Sequence, residues 1–356
     1  MGSRNAATTL AAAVLVTGSL STTTGLLLAP TADASCASLF GFSTDPARCT
    51  SSPLGIAIAI GKGAGARAGG LLGAAFAAGP DSYAEANSGA INVALQLGAN
   101  GTTLADGFLN FAVNVSMGTT DGGGSEVRAQ GGFGNIAINL FGDGTGLRGS
   151  QVHADGILNF AANLGGTDNV VLAGRDSDNG TLNAAVSMLG TRSAVVAADG
   201  FLNAAAQLGG TGNQVYAQNG AAQAAAQLGG TGNSVRSANG AVNAASQIGG
   251  DYNSVTSGGA GGVDGYFTVA FSALSNGRGA LEQNTVLAGP GPLAVAGSIG
   301  QYAANSVQSG PGININRSSA IASPRRSQAA VRSAAIAADN RAKTTRAVGA
   351  GASGRG

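Results

Sequence analysis

From Gly200 onward, apolar and polar positions fall into two alternating ten-residue blocks. One reads Gly-x-apolar-Asn/Gln-x-Ala, as in Gly200-Phe-Leu-Asn-Ala-Ala-Ala-Gln-Leu-Gly. The other reads Gly-x-x-Asn-x-Val, as in Gly210-Thr-Gly-Asn-Gln-Val-Tyr-Ala-Gln-Asn. The first block can be traced backwards through Gly180, Gly156, Gly132, Gly107 and Gly89, with asparagine three residues on at Asn183, Asn159, Asn135, Asn110 and Asn92. Alanine follows two later, at Ala185, Ala161, Ala137, Ala112 and Ala94. The second block is marked by Val127, Val152, Val171, Val195, Val215, Val235, Val255, Val286 and Val307, each with Ala or Ser two residues on. Spacing drifts between 18 and 25 residues, so some repeats carry longer loops, such as 121–124.

Within a block, Phe111, Val113 and Val115, then Ile136, Ile138 and Leu140, alternate with small or polar residues. Period-2 alternation bounded by glycine is a strand signal. Asp-Gly and Asn-Gly at 106–107, 155–156, 199–200, 219–220 and 239–240 are turn dipeptides. Two strands and two turns per repeat predict an all-β chain, a β-solenoid with two-strand coils of about 20 residues. A competing pattern pairs one strand with a short helix, since Leu202, Ala205, Ala206 and Leu208 form a helical stripe and alanine favours helix.

The faces of the two strands read differently. Arg128, His153, Arg236 and Gln308 stand beside the valines, so the Val/Ala face points inward. The other strand has a Leu/Phe/Val face and an Asn-Ala-Gln face. Burying the bulky apolar face is the expectation, at about 25 cal/mol per Å². Asn183, Asn203, Gln207, Gln223, Gln227, Asn243 and Gln247 then form a flat outer surface, a candidate for a cell-envelope polysaccharide or another ordered surface. The reverse buries these amides in hydrogen-bonded ladders and exposes an apolar sheet that demands a partner or assembly. The unvarying alanine favours that second arrangement, so both stay open.

The ends differ from the body. Arg4, the apolar stretch opening at Leu10 and the Ala32-Asp33-Ala34 pattern predict a secretory signal over 1–34, with an uncleaved anchor as the alternative. The only two cysteines, Cys36 and Cys49, follow at once and are expected to pair in an oxidising compartment, clasping an N-terminal cap over 35–69. Repeats then occupy 70–316. The tail, 317–356, carries eight basic residues against Asp339, a net +7, while Ser35–Asn316 sums to −6. It reads as a flexible basic segment suited to anionic surfaces, with a short helix over Gln328–Arg346 as the alternative. Nucleic acid is a poor partner for an exported chain.

Composition narrows the chemistry. Glycine makes up 61 of 356 residues, tryptophan is absent and charged residues are 10%. The 44% hydrophobic fraction argues against a simply disordered chain. His153 is the one histidine, too little for a catalytic triad or a histidine metal site. Gly-Gly-Thr-Gly-Asn at 209–213 and 229–233 approaches a calcium-binding nonapeptide, but Gln214 and Ser234 stand where the ligand carboxylate belongs. No phosphate loop or dinucleotide fingerprint appears. No cofactor and no catalysis are therefore expected.

The stretch Gln207-Leu-Gly-Gly-Thr-Gly-Asn213-Gln-Val resembles curlin repeats, with one extra residue before the asparagine and valine for alanine. That resemblance implies self-association. Gly132-Phe-Gly-Asn-Ile-Ala-Ile-Asn-Leu-Phe-Gly-Asp-Gly144, the segment 289–301 and Ser309-Gly-Pro-Gly-Ile-Asn-Ile-Asn316 are similar to exported Gly/Ala/Asn-rich repeat proteins of actinobacteria. That likeness implies export and repeat architecture and is silent on chemistry. The resulting expectation is a non-enzymatic, extracellular or cell-envelope protein acting as scaffold, adhesive surface or assembly subunit. The alternative is a binding module using the Asn/Ala/Gln face.

Overall fold

The computed structural model describes residues 35–116, 124–144, 149–174, 180–259 and 264–317. The expected signal, most of the 121–124 loop and the tail beyond Arg317 lie outside the described residues.

All regular structure among the described residues is strand. The helical alternative fails where it was strongest, because Ala204–Leu208 is a strand. Successive strands alternate between two sheets of 15 and 13 strands, so the chain winds as a β-solenoid. Equivalent residues stack in register from coil to coil: Ala204 pairs with Ala184 on one side and Ala224 on the other. The strands of the Asn-Ala-Gln blocks form the first sheet and those of the valine blocks the second. A narrow third sheet, built from Gly220–Ala221, Gly240–Ala241, Gly265–Tyr266 and Gly291–Pro292, closes one side of the later coils. The two-strand coil expected from the pattern lacked this third side.

At the N-terminal end, Ser35–Leu39 runs antiparallel to Ile56–Ile60 and to Phe42–Ser43. The Cys36–Cys49 disulfide ties this piece to Cys49–Ser51, the first strand of the valine-block sheet. Parallel stacking already starts at Cys49–Ser51 and Ile56–Ile60, inside the stretch read as cap. The reason is local: Ala57, Ala59, Ala66 and Ala68 are fully buried and continue the interior columns of the later coils.

The interior is narrow and lined by small side chains. One alanine column runs Ala94, Ala112, Ala137, Ala161, Ala185, Ala205, Ala225 and Ala245, all buried. Opposite it stand the valines from Val127 to Val286, as the pattern predicted. Val307 is a correction. It pairs with Leu287 and is about half exposed, while Ser306 takes the inward place beside Val286. The strand Asn305–Gln308 enters its sheet one residue out of the sequence register, and such a slip moves every side chain to the other face.

The Asp-Gly and Asn-Gly dipeptides lie at or just before the corners of the coil, with Gly107, Gly156, Gly200 and Gly240 at positive φ. Asp106-Gly107 and Asp155-Gly156 lie inside the strands Thr102–Phe108 and Gln151–Ile157. The tightest bend comes two residues after the glycine, at Leu109, Leu158, Leu182, Leu202, Ala222 and Val242, all left-handed with φ between 54° and 58°. A residue with a Cβ there costs roughly 1–2 kcal/mol. Something in each coil must hold it.

Candidate interaction surface

What holds the bend is the asparagine that follows. Asn135 donates through Nδ2 to the carbonyls of Gln130 (2.9 Å), Gly131 (3.0 Å) and Gly156 (2.6 Å). Its Oδ1 accepts the backbone N–H of Asn159 in the next coil at 3.1 Å. The same link joins Asn159 to Asn183 (2.8 Å), Asn183 to Asn203 (3.0 Å) and Asn203 to Gln223 (3.1 Å). A second ladder runs through Asn213, Asn233 and Asn253 at the opposite corner, with steps of 3.0 and 2.8 Å. A third, mid-strand, links Asn114 to Gln96, Asn139 to Asn114 and Asn163 to Asn139 at 2.8 to 2.9 Å. Buried amides are thus matched, coil to coil, to corner backbone groups: their oxygens accept the N–H of the next coil, and their NH2 groups donate to carbonyls such as Gly180 and Gly200, which also accept a strand N–H. The exceptions are the Oε1 atoms of Gln207, Gln227 and Gln247, which are buried with no hydrogen-bond partner.

These ladders overturn the expected orientation of the block. Asn183, Asn203, Gln207, Gln223, Gln227, Asn243 and Gln247 are all buried, none more than 3% exposed. They form no outer surface, and the binding module built on an exposed Asn/Ala/Gln face falls with them. Apolar residues on the other face of the same strands point outward instead. Leu208, Leu228 and Ile248 are exposed at 43%, 44% and 51%. The physical reason is interior width. A core just wide enough for alanine and valine has no room for a column of leucine and phenylalanine, and the amides satisfy the corners.

The consequence is a flat sheet face carrying three outward columns, represented by Phe111, Val113 and Val115 in one strand and Ala224, Ala226 and Leu228 in another. From Ile56 to Ile299 the only polar side chain in these columns is Ser246. No charge appears until Arg317 at the last step. The apolar character continues around the corner through Leu202 and Phe201, and through Phe108 and Phe133, whose rings stack at 5.5 Å. Among the described residues, no element packs on this face. This is the second of the two arrangements weighed from the sequence, the one that the unvarying alanine two residues after each asparagine favoured.

The valine-sheet exterior carries the charged and polar side chains, with an apolar stretch at Val170, Leu172, Ala194 and Val196. Arg67 and Glu85 pair across coils at 3.9 Å, Arg128 pairs with Glu126, and Arg236 donates to Gln218 at 2.7 Å. His153 stands between Arg128 and Leu172 in the outward column, as expected. Burial pushes the Tyr83 phenol up, and neighbouring Glu85 adds to it; burial also raises Tyr216. At the N-terminal end, the Arg48 guanidinium hydrogen-bonded to Asp45 holds that carboxyl below its usual value. Short of Arg317, charge is therefore confined to the rest of the rod, away from the apolar face.

Among the described residues, no three His, Cys, Asp or Glu side chains come together to hold a metal ion. A polar depression near the C-terminal end is lined by Arg278, Gln283, Tyr302 and Asn305, where Arg278 pairs with Glu282 at 3.3 Å and sits 5.5 Å over the Tyr302 ring. It is an exposed surface feature with one ion pair. Among the described residues, no helix is long and apolar enough to cross a membrane. Comparison with protein-family models, with curated proteins and with solved structures finds no match.

Proposed function

We propose that the chain is an exported, non-enzymatic structural protein of the cell envelope or exterior, acting through its apolar sheet face as an adhesive or assembly surface. The observation carrying this reading is that face. It spans thirteen parallel strands, the fifteen of its sheet less Ser35–Leu39 and Phe42–Ser43, which are joined by antiparallel pairing at its N-terminal end. At about 4.8 Å per strand and about 16 Å across, it covers roughly 1,000 Å². Contiguous apolar patches beyond a few hundred Å² mark interaction sites. The Cys36–Cys49 disulfide supports an oxidising compartment. The basic tail, 317–356, is suited to anchor the rod to an anionic surface.

Retention of the purified chain on an alkyl-coated surface tests the reading. Ala206→Lys with Ala226→Lys places two charges on adjacent strands of the apolar face, where both alanines are exposed. Ser234→Lys with Ser254→Lys does the same on the valine-sheet exterior. The first pair should abolish retention and the second should leave it intact. Equal retention of both variants removes the proposal.

A further inference from the structure

We infer that the occupant of the apolar face is a second copy of the chain, packed face to face with its long axis reversed, about a two-fold axis lying along the strand Ala184–Thr191. This rests on the assembly reading above and names the partner.

Three observations carry it. The first is length and chemistry. The face is uncharged over nearly its whole length and repeats at the strand spacing of a parallel sheet. A second copy offers the same length, the same repeat and the same absence of charge. Closed two-fold pairing requires such a self-complementary patch.

The second is relief. Of the thirteen parallel strands, Ala184–Thr191 is the seventh, with six before it and six after. On its N-terminal side the outward residues are bulky, with Phe111, Ile136 and Phe160 in successive strands. On its C-terminal side the same column holds Ala204, Ala224 and Ala244. A two-fold axis along the seventh strand reverses the order of strands and keeps the columns. It sets Phe111 against Ala244, Ile136 against Ala224 and Phe160 against Ala204. In this column large residues then meet small ones on both halves of the interface, the condition for interdigitated packing, while in the third column Leu164 meets Leu208 and Leu140 meets Leu228. An axis along the rod would instead set each strand antiparallel to its own copy, with Phe111 on Val115, Ile136 on Leu140 and Phe160 on Leu164, so that bulky residues meet bulky ones throughout the N-terminal half.

The third is area. Packed sheets cross at angles of up to about 30°, so the closest contact centres on the axis. Seven central strands give a patch of ~34 by 16 Å, about 550 Å² per copy and about 1,100 Å² in all. That passes the ~1,000 Å² a specific interface requires, before the outer strands or the apolar corner add to it. The geometry of the large-to-small match falls within these seven strands, where contact is closest.

Sedimentation and thiol cross-linking of the full chain test the inference. Both native cysteines are in the disulfide, so a single introduced thiol is unique. The full chain should sediment as a dimer, and Ala206→Lys with Ala226→Lys should weaken dimerisation at least tenfold. Val186→Cys, on the axis, should link to itself. Phe111→Cys should not, yet should link to Ala244→Cys when the two variants are mixed. Phe111→Cys linking to itself as readily as Val186→Cys would overturn the reversed packing. A monomer at every accessible concentration would overturn the second copy as occupant. If that monomer is still retained on the alkyl surface, or sediments with neutral phosphatidylcholine vesicles unless Ala206 and Ala226 are changed, the adhesive reading survives without the dimer. If it does neither, both fall.

Discussion

Replacing Asn135 with alanine probes the inverted strand directly. The residue is fully buried and holds four hydrogen bonds through its side chain. Asn135→Ala removes the acceptor of the buried Asn159 N–H and takes a donor from the Gly156 carbonyl. One buried group left unsatisfied costs about 1–3 kcal/mol. The missing amide leaves a void of ~30 Å³, adding about 0.7 kcal/mol at ~24 cal/mol per Å³. The expected loss is about 2–4 kcal/mol. Its neighbour Ile136 points outward and is 37% exposed, so Ile136→Ala should cost about 1 kcal/mol or less, well under the 2–5 kcal/mol of a core isoleucine. Coils in a solenoid contact only their neighbours, so the loss is best read locally. Hydrogen exchange at the Asn159 amide, beside denaturant unfolding followed by circular dichroism, gives the comparison. With the faces reversed, Asn135→Ala would fall within about 0.5 kcal/mol of wild type, as surface changes do, and Ile136→Ala would be the damaging change. That order of effects would refute the ladder.

Two glycines at left-handed positions should separate conformational strain from steric blockage. A Cβ at Gly209 (φ +67°) meets nothing within 4 Å, whereas one at Gly166 (φ +94°) would overlap the Gly190 carbonyl of the next coil. Gly209→Ala should cost about 1 kcal/mol and Gly166→Ala ~1–3 kcal/mol more, measured by unfolding of each variant. Cys36→Ser with Cys49→Ser opens a loop closed over a separation of 13 residues. The N-terminal coils should lose about 3 kcal/mol of protection on the chain-entropy model, seen as faster hydrogen exchange in Ile56–Ile60. Tyr83 is raised above 10.0 in the folded chain, first by burial and then by Glu85. Its contribution to stability is therefore complete below pH 10.0 and declines as pH rises through the folded value. Tyrosinate absorbance should report ionisation above 10.0, and Glu85→Gln should move it down.

Much of the architecture is legible in the chain. The glycine-bounded alternation declares a strand pair per repeat, and the valines beside Arg128, His153 and Arg236 declare their own inside. Closeness of Cys36 to Cys49 suffices for the clasp. The chain could not declare the third narrow side, because its strands are two residues long and carry no alternation. Nor could it show that Ser306 replaces Val307 in the core, since a one-residue slip leaves composition unchanged.

The orientation of the Asn-Ala-Gln strands was decided only by the closed coil. In a period-2 strand the two faces are equally periodic, and a transfer-energy argument favours burying the larger apolar one. That argument omits the corners. After the left-handed bends at residues such as Leu158 and Leu202, the backbone N–H groups of Asn159 and Asn203 donate to the side-chain oxygens of Asn135 and Asn183 in the preceding coil, which only an inward asparagine can present. Sequence determined that the repeat has an Asn-Ala-Gln face and an apolar face. The width of the coil and the hydrogen-bonding of its corners decided that amides fill the core and apolar side chains meet the outside.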